Sequence, residues 1–203
     1  MHLFYEYINS SGSKKNSERK GGAELKQEQK LIRAILRRGS KEAADTLVRI
    51  YYDEIYAFVY RQVGDREDAM DLTQESFIAA LRSLHTYDAK KSGFRTWLYH
   101  IVTYKIIDMR RKRRLQLLPL EEQEIACEED FIEEIQNRQI LAEIERFVCG
   151  IDPEIQEIFR LRVYAGCSFP EIAAARGEPE AKIKAQYYRL IGKLRKEFED
   201  NDE

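Results

Sequence analysis

Residues 168–198 read SFPEIAAARGEPEAKIKAQYYRLIGKLRKEF. Ser168 and Glu171 stand at capping-box spacing, Ile172 and Ala173 are apolar, and Gly177 closes a helix of two or three turns. Pro179 is expected at the first position of the next helix, where its missing N–H costs nothing. A short helix, a glycine turn and a longer helix form the helix-turn-helix arrangement, whose second helix enters the major groove of DNA. In that second helix Ile183, Tyr187, Leu190 and Leu194 fall on one face and are expected to pack on the first. Lys182, Ala185, Gln186, Arg189, Lys193 and Lys196 fall on the other, with Gln and Arg suited to base edges and Lys to phosphates.

Outward from this motif the chain reads as all-α. Ten glycines and four prolines in 203 residues, against 34% charged and 43% hydrophobic residues, is a helical composition with enough apolar side chains for a core. Residues 1–23, with a Ser/Gly/Lys/Asn-rich tract, are expected to be a flexible tail. Leu31, Ile32, Ile35 and Leu36 mark a first helix from about Glu24 that Gly39 stops, and Ser40 starts another. That second helix carries the stripe Ala44, Leu47, Val48, Tyr51, Ile55, Phe58 and Val59 up to Gly64. Asp65 caps a third, running to about Leu84. A polar loop, HTYDAKKSG, leads to residues 94–114, FRTWLYHIVTYKIIDMRRKRR, in which Phe94, Trp97, Leu98, Ile101, Val102 and Ile106 make the buried stripe before five consecutive basic residues. Pro119 and an acidic run break the helical signal over 115–137, which is the expected linker between domains 24–114 and 138–203. In the second domain Asp152 caps a helix beginning at Pro153 and ending at Gly166.

The charge is segregated. The chain has formal net charge −2, yet 90–114 holds nine basic residues against one acid, 115–145 ten acids against one arginine, and 182–196 six basic residues and no acid. Two separated basic blocks point to polyanion contact at two places, because Lys and Arg that neutralise phosphates release the counterions held there. Asp68, Asp71 and Glu75 form one acidic stripe on the third helix, with Gln74 beside it. Cys127, Cys149 and Cys167 have neither disulfide-framework nor zinc-ligand spacing, and His2, His85 and His100 are scattered, so no metal, cofactor or catalytic group is expected. With no apolar run of about 20 residues the protein is expected to be soluble and cytoplasmic, without membrane insertion.

Several of these motifs, in this order over roughly residues 28–198, resemble those of the extracytoplasmic-function (ECF) sigma factors of the sigma-70 family. GDREDAMDLTQESFIAAL (64–81) resembles the family's polymerase-binding segment, FRTWLYHIVTYKIIDMRRKRR its promoter-melting and −10-reading helices, and residues 151–198 its −35-reading domain. The resemblance implies a non-enzymatic, dissociable subunit of bacterial RNA polymerase that directs the core enzyme to promoters and helps melt the −10 region. It implies as partners the core polymerase (the β′ clamp coiled coil and the β flap), promoter DNA and an anti-sigma protein. Asp68, Asp71, Gln74 and Glu75 are then the polymerase-binding candidates. Tyr87, Asp88, Lys90, Tyr99, His100, Tyr104, Lys105, Asp108, Arg110, Arg111, Arg113 and Arg114 are those for the −10 element. Lys182, Lys184, Ala185, Gln186, Arg189 and Lys193 are those for the −35 element. After Gly177 the family usually has an apolar residue; here Glu178 stands there, and a looser turn or a shifted docking angle is expected. The alternative is a helix-turn-helix regulator that works without polymerase, for which the acidic stripe has no use.

Overall fold

The computed structural model describes residues 22–116 and 143–200, all of their regular structure helical. Most of the N-terminal tail and nearly all of the acidic linker lie outside these residues. The first unit comprises α1 (Gly22–Arg38), α2 (Lys41–Val63), α3 (Arg66–Ser83), a 3₁₀ turn (Leu84–Thr86) and α4 (Phe94–Gln116). The second comprises a helical segment over 143–149 (α5), then α6 (Pro153–Val163), α7 (Phe169–Arg176) and α8 (Glu180–Asp200).

The first two joints are the same device used twice. Gly39 and Gly64 adopt positive φ of 60° and 79°, a region open to glycine at little cost, and the next residue in each case caps the following helix. Ser40 Oγ accepts the Ala43 N–H at 3.2 Å, and Asp65 Oδ1 accepts the Asp68 N–H at 2.9 Å. Tyr51, Ile55, Phe58 and Val59 of α2 are fully buried against Ala69, Leu72 and Phe77 of α3 and Phe94, Leu98, Val102 and Ile106 of α4. The Tyr51 hydroxyl donates to the buried Glu28 carboxylate of α1, and burial with that carboxylate pushes the phenol pKa far up.

In the second unit Asp152 caps α6 and Pro153 opens it, but the helix stops at Val163, and Gly166 (φ 66°) lies in the turn beyond. The capping box is formed: Ser168 Oγ accepts the Glu171 N–H at 3.4 Å while Glu171 Oε2 accepts the Ser168 N–H at 2.7 Å. Pro179 stands one position earlier than expected, just ahead of α8, its carbonyl accepting the Ile183 N–H at 3.3 Å. Ile183, Tyr187, Leu190 and Leu194 are buried with Ile172 of α7 and Ile158 of α6.

Gly177, at φ 67° with nothing within 4 Å of a built Cβ, ends α7 and makes a clean test. Gly177→Ala is expected to cost about 1 kcal/mol, because the penalty is backbone strain in the left-handed region alone. A thermal melt lowered by a few degrees checks it.

The two units share one continuous core. Helix α4 is wedged between α2 and α3 on one side and α6 and α7 on the other.

Candidate nucleic-acid interface

That wedge explains the largest departure from the sequence reading. One apolar stripe was expected on α4, but Thr96, Tyr99, Thr103 and Ile107 form a second buried stripe, at 3%, 1%, 0% and 7% exposure. Tyr99 therefore belongs to the core and not to a DNA-facing surface. Its ring meets Phe58 edge-on at 4.7 Å, and the Arg95 guanidinium lies 4.6 Å from its centroid.

Between the two stripes α4 keeps an open strip. Trp97, His100, Ile101, Tyr104, Lys105 and Asp108 line an open cleft of about 530 Å³ along it, with Ser83 of α3 and Thr86 of the 3₁₀ turn also in its lining. Tyr104 is 46% exposed and meets His100 edge-on at 4.9 Å. Trp97 and Ile101, expected in the core, are half-buried and contribute to the cleft wall. A flat apolar wall bordered by a cation suits an unstacked base, whose ring needs a stacking surface and whose backbone needs positive charge.

The loop at the head of α4 is ordered from within. Asp88 Oδ1 accepts the Lys90 N–H at 2.9 Å, and its carbonyl accepts those of Lys91 and Ser92 at 3.0 and 3.3 Å. Tyr87 packs edge-on to Phe94 at 5.6 Å and against Trp97, and burial pushes its phenol up to about 12. Tyr87 is thus a support for the loop, while Asp88 and Lys90 are exposed at its tip.

The basic run splits three ways over Arg110–Arg113, and the side chain of Arg114 lies outside those described. Arg110 turns inward, where its Nη1 reaches Glu145 at 2.9 Å and donates to Cys149 Sγ at 3.0 Å, so it does not face solvent as expected. Arg111 and Lys112 point outward with 70% and 68% exposed side chains, each paired to Asp108 at 2.7 and 2.9 Å. Their hydrogen bonds and charges, Lys112 first, hold the Asp108 carboxyl below its ordinary range. Arg113 pairs with Asp68 of α3, and Lys105 with Glu75 of α3 at 3.2 Å. The acidic stripe of α3 and the basic side chains of α4, assigned to different partners from sequence, thus meet each other at two points. Asp71 and Gln74 remain on the exposed face of α3, flanked by the exposed Met70 and Ile78.

On α8, Lys182, Lys184, Ala185, Arg189 and Lys193 are exposed and Gln186 is half-buried. Lys182 and Lys184 are paired one turn back, with Glu178 at 3.1 Å and Glu180 at 2.6 Å. Tyr188, not singled out from sequence, is 61% exposed and packs on Phe169 at 5.9 Å, one helical turn from Lys184. Its spacing from Lys184 was the available signal. Glu178 does not loosen the turn: its N–H donates to Ala173 O at 3.0 Å, and its carboxylate holds Arg176 at 3.0 Å as well as Lys182. Cys167 is buried, which pushes its thiol up to about 12 and makes it a poor nucleophile.

Residues 47–116, most of α2 through α4, match the family Sigma-70 region 2. The ECF RNA polymerase sigma factor BldN of Streptomyces coelicolor is 30% identical over 170 residues, covering 80% of this chain. The chain spans a little under two thirds of that relative, 63% of its length. The RNA polymerase sigma factor NccH of Alcaligenes xylosoxydans xylosoxydans is 32% identical over 133 residues, 63% of this chain and 71% of the relative. The fold resembles that of CnrH, solved in complex with the cytosolic domain of CnrY, with TM-score 0.58 and 24% identity over 89% of this chain and 99% of that one. The chain belongs to the sigma-70 family of RNA polymerase sigma factors, in its ECF group.

Proposed function

We propose that this protein is a dissociable sigma subunit that brings RNA polymerase core to a class of promoters and helps open the −10 region. The observation that carries the proposal is the cleft on α4, with Tyr104 and Trp97 in its wall and Arg111 and Lys112 exposed beyond it. Melting a duplex requires a surface that replaces base stacking while it neutralises separated phosphate backbones. In this reading His100, Tyr104 and Lys105 meet the opened strand, Asp88 and Lys90 a flipped base, and Arg111, Arg113 and Arg114 the backbone. The exposed face of α8, from Lys182 to Lys193, reads the −35 element as the second helix of a helix-turn-helix. The exposed face of α3 around Asp71 and Gln74 docks on the polymerase. By the same family likeness a protein inhibitor that covers these surfaces completes the set of partners.

Run-off transcription with purified core polymerase, with and without this protein, on genomic fragments tests the proposal. Discrete starts that depend on the protein are expected. No starts together with no co-elution with core polymerase would reject it.

A further inference from the structure

Two lysines stand at the head of α8, and each is drawn back to a carboxylate four residues earlier, Lys182 to Glu178 at 3.1 Å and Lys184 to Glu180 at 2.6 Å. The two pairs differ in what stands behind the acid. Lys184 and Glu180 are both solvated, with side chains 48% and 41% exposed. A pair of that kind is worth little and gives up its lysine readily to another anion. Glu178 is only 20% exposed, and the oxygen that Lys182 does not use accepts from Arg176 Nη2 at 3.0 Å. Arg176, whose side chain is 5% exposed, also holds the fully buried Glu157 of α6 and reaches Glu154 at 3.4 Å.

One guanidinium thus serves three carboxylates. His100 of α4 lies against Glu157, and at Glu178 the further positive charge is Lys182. The seat of Glu178 is fixed as well: Gly177 turns the chain at φ 67°, and the Glu178 N–H donates to Ala173 O at 3.0 Å. Attraction between charges grows as water is excluded, so Lys182 is held more firmly on its half-buried carboxylate than Lys184 on its solvated one. If Lys182 turned to a phosphate, it would leave an acid-rich cluster short of a cation at the end of the helix that enters the groove, where phosphates pass closest.

We propose that Glu178 is a positioning residue that sorts the two lysines: it keeps Lys182 as the counter-ion of the turn, away from the DNA backbone, and leaves Lys184 as the phosphate ligand at the head of α8. In taking α8 as the duplex-reading helix this rests on the function proposed above, and it narrows that reading at Lys182. Duplex binding then draws on fewer phosphates than the run of basic residues suggests, with more of it left to base edges read from Gln186 and Arg189.

The test is Lys182→Gln and Lys184→Gln in the full chain, read by fluorescence anisotropy of a labelled mixed-sequence duplex over a range of KCl concentrations. Each phosphate contact contributes about 0.9 to the slope of log affinity against log salt. Lys184→Gln is expected to flatten the slope by about 0.9, and Lys182→Gln by less than about 0.3. Glu178→Gln keeps the size of the side chain and an acceptor for Arg176 but releases Lys182. It is expected to steepen the slope by about 0.9 and to tighten binding about tenfold at about 50 mM KCl, fading toward about 1 M. Adding Lys182→Gln to Glu178→Gln is expected to abolish both effects, which separates capture of Lys182 from the mere loss of a negative charge. Circular dichroism checks that Glu178→Gln is folded; if it loses helix content, the two lysine variants, which alter exposed side chains, decide alone. Lysine variants that behave alike, whether both flatten the slope or neither does, would overturn the sorting. A folded Glu178→Gln protein with unchanged affinity would overturn it too, as would a gain that survives the loss of Lys182. Run-off transcription by the unsubstituted protein separates the two ideas: starts together with lysines that behave alike sink the sorting alone, whereas an effect confined to Lys184 without any starts sinks the sigma reading alone.

Discussion

Arg160→Ala is expected to destabilise the protein by about 3–5 kcal/mol, the usual cost of stripping one partner from a buried ion pair. Arg160 has no exposed side-chain surface. Its Nη1 donates to Gln62 Oε1 at 2.8 Å, and its two terminal nitrogens reach Glu145 at 3.2 and 2.9 Å. Alanine leaves Glu145 in the interior with Arg110 and Tyr164, and leaves the Gln62 amide oxygen without its donor. At about 2–4 °C per kcal/mol for a chain of this size, the melting temperature should fall by roughly 10 °C. Arg160→Met, which keeps most of the volume, is expected to lose nearly as much, because the Glu145 carboxylate, left with Arg110 and Tyr164 alone, and the Gln62 amide carry the cost and not the cavity.

The acid limb of this prediction has a definite sign. Burial opposes ionisation of Glu145, but Arg160 and Arg110 outweigh it and hold the carboxyl below its ordinary 4.5. A depressed folded pKa contributes stability that is present above the unfolded value and is lost as pH falls through the folded one. The gap between the unsubstituted protein and Arg160→Ala is therefore expected to be full at pH 7 and to narrow as pH falls below that ordinary value. Thermal melts of both at several pH values check it. A gap that stays constant into acid would assign the loss to packing alone.

What the sequence showed and what it hid divide along the range of the interaction. Helix ends are local: Gly39 with Ser40, Gly64 with Asp65, and Ser168 with Glu171 and Gly177 each set a boundary by chemistry within four residues, and each was legible. The stripe of α8 was legible for the same reason, since one partner face suffices to bury it. Helix α4 misled because a single stripe presumes a single partner. Tyr99 sits one residue after Leu98, and nothing local to it announces that α6 covers that side as well. The contacts Arg160–Gln62, Arg95–Ala165 and His100–Glu157 join residues far apart in the chain, and periodicity carries no information at that range. Charge segregation carried some. The acidic block 115–145 and the basic block 90–114 stood out by charge alone, and Glu145, the last residue of the first, is found on Arg110 of the second. The candidate site was legible as residue types, and less so as to which side of the helix each faces.

Asp71→Lys is expected to weaken association with RNA polymerase core by about 100-fold or more while leaving the fold intact. The structure narrows the choice to this residue. Asp68 and Glu75, its neighbours on the acidic stripe, already serve Arg113 and Lys105 of α4, so changing them disturbs two helices at once. Asp71 is exposed, lies beyond the first turn of α3, and is flanked by Gln74 and the apolar Met70 and Ile78. Lysine suits an exposed helix position as well as aspartate does, so stability should stay within about 0.5 kcal/mol. On a docked basic surface the same change replaces an attraction with a like-charge contact, which costs several kcal/mol when water is excluded. Added salt should shrink the difference if the contact lies at the rim of the interface, and leave most of it if the exposed Met70 and Ile78 dry the contact. Anisotropy titration of labelled protein with purified core polymerase measures all of this. Asp71→Lys that binds core as tightly as the unsubstituted chain would remove the outer face of α3 from the polymerase interface, and the sigma reading would then need another docking surface.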